Sequence, residues 1–278
     1  MKINIRDYLL LLPGIGYILL MIIFAFVSMV AQSFGFFNYT GESAFSLQYW
    51  AEIFTKSFFD DLFYSVKIAF LTAFISILLC YPLSLFLQKI PGRKLILSII
   101  KIPMFIPGLV AGYLITNIID YHGILNQIMM ALNIIEEPLR MRNDSAGIGS
   151  LVVQLWKNVP FQMMIMYSAI ESIRKDVIDA ARNLGAGRLQ VLREVIIPLS
   201  LPSALVAVIM VFIQTFNDFS IAKTTGPLYP TTISNLMYQY AYTFFEWNSA
   251  ACIGVLMTFT SLLFVVIYTA VSKRMVKS

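Results

Sequence analysis

Charge is scarce in this sequence. Asp, Glu, Lys and Arg make up 13% of its 278 residues, about half the ~25% of a soluble globular domain. So few charges cannot cover a water-exposed surface, which excludes an ordinary soluble fold. Histidine is scarcer still: His122 stands alone, with no companions at metal-ligand spacing, and reads as a loop residue. No His/Asp/Ser constellation for nucleophilic catalysis can be assembled around it. The two cysteines, Cys80 and Cys252, lie in apolar runs without C-x-x-C spacing and read as small buried hydrophobes. A G-x-x-x-x-G-K-[ST] phosphate loop is also lacking, so the chain cannot hydrolyse ATP alone.

What is present is hydrophobicity, 59% of the residues, with a mean hydropathy of +0.78. A bilayer core needs ~20 apolar residues per helix. Uncharged runs of that size occur at Leu9–Ala31, Ile68–Gln88, Val195–Asn217 and Trp247–Ser272. A shorter run, Ile102–Ile119, is long enough with little tilt. A sixth, Gly147–Ile170, is interrupted by Lys157. The first run is longer than a signal-peptide core and no A-x-A site follows it, so it reads as an uncleaved span.

The basic residues orient these spans. Fourteen of the 20 Lys and Arg flank the runs on one side: Lys2 and Arg6, the group Lys89 to Lys101, the group Arg174 to Arg193, and Lys273 to Lys277. Only Lys56, Arg140, Arg142 and Lys223 fall in the opposite loops, while Lys67 and Lys157 lie within spans. The positive-inside rule then gives an all-α integral membrane protein of six transmembrane helices with both termini cytoplasmic. The net charge of +5 belongs to this asymmetry and not to a nucleic-acid-binding face. No repeat, low-complexity tract or linker divides 1–278, so one membrane domain is expected. Among the external loops, 45–63 reads as an amphipathic interfacial helix and 123–135 as a second short helix. Gly and Pro in "TTGPLYPTT" break the loop 221–246, whose aromatic remainder dips back toward the bundle. Asn38-Tyr39-Thr40 and Asn143-Asp144-Ser145 match the glycosylation pattern, and nothing else marks a secretory protein.

One stretch interrupts the apolar pattern on the cytoplasmic side: "DAARNLGAGRLQVLREVIIPLSLP", 179–202. Helical periodicity places Ile173, Val177, Ala180, Ala181 and Leu184 on one face, opposite Arg174, Lys175 and Arg182. Gly185 breaks the helix and Arg188 to Ile197 resumes it. Two readings fit: a connector lying on lipid headgroups, or a short helix that plugs a groove in a soluble partner. Asp179-Ala180-Ala181-x3-Gly185-Ala186, followed by Ile197-Pro198 and Pro202, resembles the EAA loop of permease subunits of bacterial ATP-binding-cassette importers. It stands before the penultimate span, as in that family, with Asp179 where Glu is usual.

The resemblance implies a type I importer permease fold in the bacterial inner membrane, with a coupling loop at about 173–197. It implies two cytoplasmic ATP-binding-cassette ATPases, which hold the ATP and magnesium, a second homologous permease, and an extracytoplasmic substrate-binding protein. Gly185 would permit the bend, Ala180 and Ala181 close approach, and Asp179 and Arg182 polar contacts. Ala186 and Arg188 belong to the same surface. No cofactor of its own is implied.

Polar residues within spans are costly and mark candidate pathway positions: Gln214, Asn217 and Asp218 at the end of the fifth span, Gln154, Lys157 and Asn158 in the fourth, and Tyr113 and Asn117 in the third. Inter-helix hydrogen bonding is the competing role for each, and Lys67 reads as structural. Gly108-x3-Gly112 permits close helix packing. The segment 65–94 is similar to spermidine/putrescine permeases, and 216–227 resembles both polyamine-type and sugar-type subunits, so a polyamine or related small polar solute is the expected cargo. Sugar is the alternative cargo, with phosphonate, opine, thiamine and iron importers also similar, and an ATP-independent channel is the alternative mechanism.

Overall fold

A computed structural model describes residues 5–38 and 43–277; Lys2, Tyr39 and Thr40 lie outside them. Helices follow in the order α1 (Ile5–Ser33), α2 (Gln48–Ile53), α3 (Lys56–Leu87), α4 (Arg93–Ile100), α5 (Ile102–Phe105), α6 (Gly108–Ile119) and α7 (Ile124–Ala131). Then come α8 (Ile148–Glu171), α9 (Lys175–Asn183), α10 (Arg188–Val191), α11 (Ile197–Phe216), α12 (Ser220–Thr225), α13 (Ile233–Tyr238) and α14 (Trp247–Lys277). No strand occurs among the described residues.

Four stretches are long and apolar enough to cross a membrane: Pro13–Ser33, Lys56–Leu87, Arg188–Phe216 and Trp247–Arg274. The expected straight span Ile102–Ile119 is not formed. Arg93–Phe105 and Gly108–Ala131 meet at a bend of 101°. The cause is Pro107, which pushes Ile106 out of the helical region to φ −80, ψ 124. α8 is about 36 Å long at 1.5 Å per residue, but Gln154, Lys157, Asn158 and Gln162 make it less apolar than the others.

The expected interfacial helix 45–63 is also redrawn. α2 ends at Phe54, and a new helix starts where Thr55 Oγ1 accepts from the Phe58 N–H at 3.3 Å. With no breaker beyond that cap, its second half runs directly into the span. α7 is shorter than 123–135 because Asn133 turns left-handed (φ 54) and closes the helix with Ile134 N–H to Met129 O. At the start of the loop 221–246, Ile221, Ala222, Thr224 and Thr225 of α12 are buried, whereas Tyr242, Phe244 and Phe245 of its aromatic remainder are exposed.

The chain forms two compact units. In the first, Met1–Phe58 with Leu236–Phe259, α14 lies close against α1. Asn248 donates to Gln32 O at 2.9 Å, and Cys252 Sγ to Ser33 O at 3.3 Å.

The second unit, Phe59–Asn235 with Thr260–Ser278, is organised around α3 and α8. Cys80, Ser84 and Gln88, each four residues apart, donate to Val159, Met163 and Tyr167 carbonyls at 3.2, 3.5 and 3.2 Å. Ser76, one turn earlier, bonds Gln162. Donors and acceptors advance together, so α3 and α8 run parallel. Lys67 extends the line by donating to Ala146 O at 2.9 Å. Asp144 caps α8 through Ile148 and Gly149 N–H at 2.8 and 3.2 Å.

The bent pair climbs along α8. Arg93 pairs with Glu171 at 3.0 Å at one end. Lys157 meets the carbonyls of α5 in the middle. At the other end a Cβ on Gly149 would lie 3.4 Å from Ile119 Cδ1. α4 to α6 therefore follow α8 in the opposite direction over about 33 Å of its length.

Candidate functional site

The stretch after α8 has the shape the sequence suggests. α9 stops in a Schellman turn: Gly185 N–H bonds Arg182 O at 2.9 Å and Ala186 N–H bonds Ala181 O at 3.1 Å. Gly185 sits at φ +90, the left-handed region that L side chains avoid, and a Cβ there would meet nothing within 4 Å. α10 then continues into α11 through a π turn at Leu192–Ile196, where Ile197 N–H bonds Leu192 O. The wider turn accommodates Pro198, which brings no N–H to the helical ladder.

The side chains of this stretch point away from the unit. Asp179, Ala180, Arg182, Gly185 and Arg188 are exposed, and Ala181 and Ala186 are half-buried. Val177 and Leu189 are exposed as well, and Leu184 is 89% exposed. Asp179 and Arg182 pair with each other at 3.6 Å. Neither is committed elsewhere among the described residues.

The pathway candidates divide into two sets. Gln154, Lys157, Asn158 and Asp218 gather at one node. Asn158 Nδ2 donates to the backbone and side-chain oxygens of Gln154 at 2.9 and 3.0 Å. Gln154 Nε2 donates to Asp218 Oδ2 at 2.7 Å. Asp218 also accepts from the N–H groups of Ser220 and Ile221 at 3.2 and 3.1 Å, closing the N-terminus of α12. Lys157 Nζ donates to the carbonyls of Pro103 at 3.3 Å, Met104 at 3.5 Å and Ile106. The node thus holds the ends of two interrupted helices, and each broken backbone end meets a side chain of opposite charge.

Tyr113, Asn117, Gln214 and Asn217 are exposed. Tyr113 and Asn117 share the outward face of α6, one turn apart. Asn217 donates to Ile213 O at 2.9 Å and to Ser261 Oγ at 3.4 Å.

Sequence reasoning missed the partner of the glycine pair. Gly108 and Gly112 face Ser220 and Thr224 of α12. A Cβ on Gly108 would lie 2.8 Å from Ser220 Cβ, and one on Gly112 would collide with Thr224. The signal was legible as a second four-residue spacing of small residues, Ser220-x3-Thr224. Gly112→Val is expected to destabilise the detergent-purified chain by about 1–3 kcal/mol through overpacking, read from thermal unfolding. Gly14, with nothing within 4 Å, is the control, and an equal loss there would remove the explanation. A clip on the loop beyond α6 was also missed: Arg142 pairs with Asp120 at 2.9 Å. Together with the Tyr121 N–H, which Asp120 accepts, it holds that carboxyl below the usual aspartate range.

Residues 81–277 match the family of binding-protein-dependent transport system inner membrane components. The chain belongs to this family. The matched region contains both the α9 stretch and the buried node, so they are features of an importer's membrane subunit located in the inner membrane. This inner membrane component is similar to the spermidine/putrescine transport system permease protein PotB of Escherichia coli (strain K12). The identity is 28% over 236 residues, 84% of this chain and 85% of the relative. It is also similar to the trehalose/maltose transport system permease protein MalF of Thermococcus litoralis, 24% identical over 224 residues, 78% of this chain and 76% of that one. Among solved structures, it resembles a chain of a bacterial alginate ABC transporter in complex with alginate pentasaccharide-bound periplasmic protein. There the TM-score is 0.80 at 18% identity, with 98% and 96% of the two chains covered. The inward-facing MetNI methionine ABC transporter gives a TM-score of 0.62 at 16% identity, covering 77% and 94%. These likenesses establish the fold of an ABC importer permease.

Proposed function

We propose that this subunit forms half of a solute pathway and is driven through α9 by a cytoplasmic ATPase. The observation that carries this reading is the α9–Gly185 turn. It is a capped short helix, exposed on its apolar and charged faces alike, joined by three residues to α8 and by the four residues Leu184–Gly187 to the continuous stretch Arg188–Phe216. Asp179, Ala180, Ala181, Arg182, Gly185, Ala186 and Arg188 make up the docking surface. Two ATPases, which bind ATP and magnesium, a second homologous permease, and an extracytoplasmic binding protein complete the importer.

Six spans with both termini cytoplasmic fit this assembly: α1, α3, α4 to α6, α8, α10 to α11, and α14. The parallel course of α3 and α8, with α4 to α6 antiparallel between them in sequence, supports counting the bent pair and α8 as one span each. Tyr113, Asn117, Gln214 and Asn217 are the open polar side chains of the pathway, and the node of Gln154, Lys157, Asn158 and Asp218 frames it.

The cargo is a small polar solute, with a polyamine favoured by the PotB relative over most of the chain. A sugar is the second reading, favoured by the MalF relative. The test is uptake by vesicles holding the chain with the subunits that co-purify in mild detergent, identified by mass spectrometry. ATP-dependent uptake of labelled spermidine or putrescine is expected. Uptake of a disaccharide instead would transfer the assignment to the second reading. Purification without any ATPase would sink the importer assembly and favour an ATP-independent channel.

A further inference from the structure

Lys157 lies in the path region but has no free donor geometry to offer a solute. Its ammonium is taken up by three carbonyls at the C-terminal end of α5, those of Pro103, Met104 and Ile106. Pro103 O also accepts the Ile106 N–H at 3.3 Å, and the chain leaves the helix at Ile106, so the last carbonyls of α5 have no following turn of the same helix; inside a bilayer such groups must be satisfied within the protein. We propose that Lys157 is a positioning residue that latches α4 and α5 to α8, leaving Ile106–Pro107 as the joint between the inner and outer halves of the bent span.

The latch has a second point of attachment. Arg93, at the start of α4, pairs with Glu171 at 3.0 Å, donates to Gln88 O at 3.2 Å and faces the Tyr167 ring. Between the two points Ile96, Leu97 and Ile100 pack on the cluster of Cys80, Leu87, Met163 and Tyr167. Beyond the joint the allegiance changes. α6 is seated on α12 through Gly108 and Gly112, and Asp218 fixes the start of α12. The inner half is therefore fastened to the half of α8 nearest α9, and the outer half to α12, which is itself tied to the far half of α8 by Gln154–Asp218 at 2.7 Å and Ser150–Thr225 at 3.1 Å. α8 leads into α9, so, resting on the importer reading above, displacement of α9 is carried to α4 and α5 through Lys157.

The chain carries its own reporter. Cys80 is fully buried beneath α4, and Cys252, fully buried in the other unit, serves as an internal reference. In the full-length chain, Lys157→Met, similar in length but without donors, is expected to raise the rate of maleimide labelling at Cys80 relative to Cys252 by at least about fivefold through local opening. Lys157→Arg, which can still donate to the carbonyls, is expected to stay within about twofold of the native chain. Labelling of Cys80 unchanged in Lys157→Met overturns the latch, whatever happens to transport. Should that variant fail to accumulate, Lys157→Gln, with two amide donors, is expected to label at an intermediate rate, and a native rate there overturns the latch equally.

In reconstituted vesicles, Lys157→Met is expected to lower the maximal uptake rate about tenfold or more with the half-saturating solute concentration unchanged, and Lys157→Arg to restore it. A shift in half-saturation in both variants would make Lys157 a solute ligand and end the positioning role. Failure of the importer reading itself is seen separately, as absence of ATP-dependent uptake by the native chain with Cys80 labelling still responsive to Lys157.

Discussion

Gly185→Arg abolishes solute uptake and leaves the chain in the membrane at its native level; this is the largest effect we expect from a single substitution. The backbone cost is modest. A non-glycine residue at φ +90 costs about 1–2 kcal/mol, a fraction of the stability of a folded domain. Among the described residues no atom lies within 4 Å of the added Cβ, so the side chain starts into open space. The damage must therefore fall on whatever approaches the tip of α9 from outside. Gly92 supplies the matched control. It too is left-handed, at φ +81, with nothing within 4 Å, but it precedes α4. Gly92→Arg should retain uptake, measured in the same vesicles at equal membrane content. Equal loss in both variants would assign the effect to backbone strain and leave the α9 surface without a docking role.

The second large effect concerns Asp218, and it separates geometry from charge. Asp218→Ala removes the acceptor of the Gln154 amide and of two N–H groups that open α12. Leaving buried donors unpaired costs about 1–3 kcal/mol each, and α12 carries the face against which Gly108 and Gly112 pack. Uptake should fall by about tenfold or more. Asp218→Asn keeps a good helix cap and removes the charge. It should retain most of the uptake, because the carboxylate is turned toward α8 and α12. Uptake by the Asn variant as low as by the Ala variant would instead place the negative charge in contact with the solute. The comparison is best made across solute concentrations, so that a change in half-saturation is seen apart from a change in maximal rate.

The sequence was most informative where a single residue decides the backbone. Gly185 between two amphipathic turns located the end of α9 to within two residues, and the four long uncharged runs located the four stretches long and apolar enough to cross a membrane. Legibility failed where two breaks in different spans compensate one another. Lys157 stood out only as an interruption of the fourth span, and Pro107 was not singled out in the third. Only their meeting in space explains the lysine, since it donates to the carbonyls of Pro103, Met104 and Ile106, where the chain leaves the helix before Pro107. Asp218 stood out only as a polar candidate at the end of the fifth span for the same reason, because the helix it caps begins two residues later. Thr55 was missed as a cap, and with it the fact that half of the expected surface helix belongs to α3. The small-residue pair on α6 was legible, but its counterpart on α12 lies more than one hundred positions away.

The ladder between α3 and α8 limits how this subunit can change over evolutionary time as well as how it can move. Its donors recur every fourth residue and its acceptors do the same, at a constant offset along the chain. Inserting or deleting one residue in either helix would swing every later donor by about 100° around its axis and unzip all the rungs beyond that point. Sliding one helix past the other gains nothing until a full turn of about 5.4 Å has been traversed. The pair thus behaves as a keyed shaft. Lengths can drift in the connecting loops, but between Ser76 and Gln88 only side chains can be exchanged.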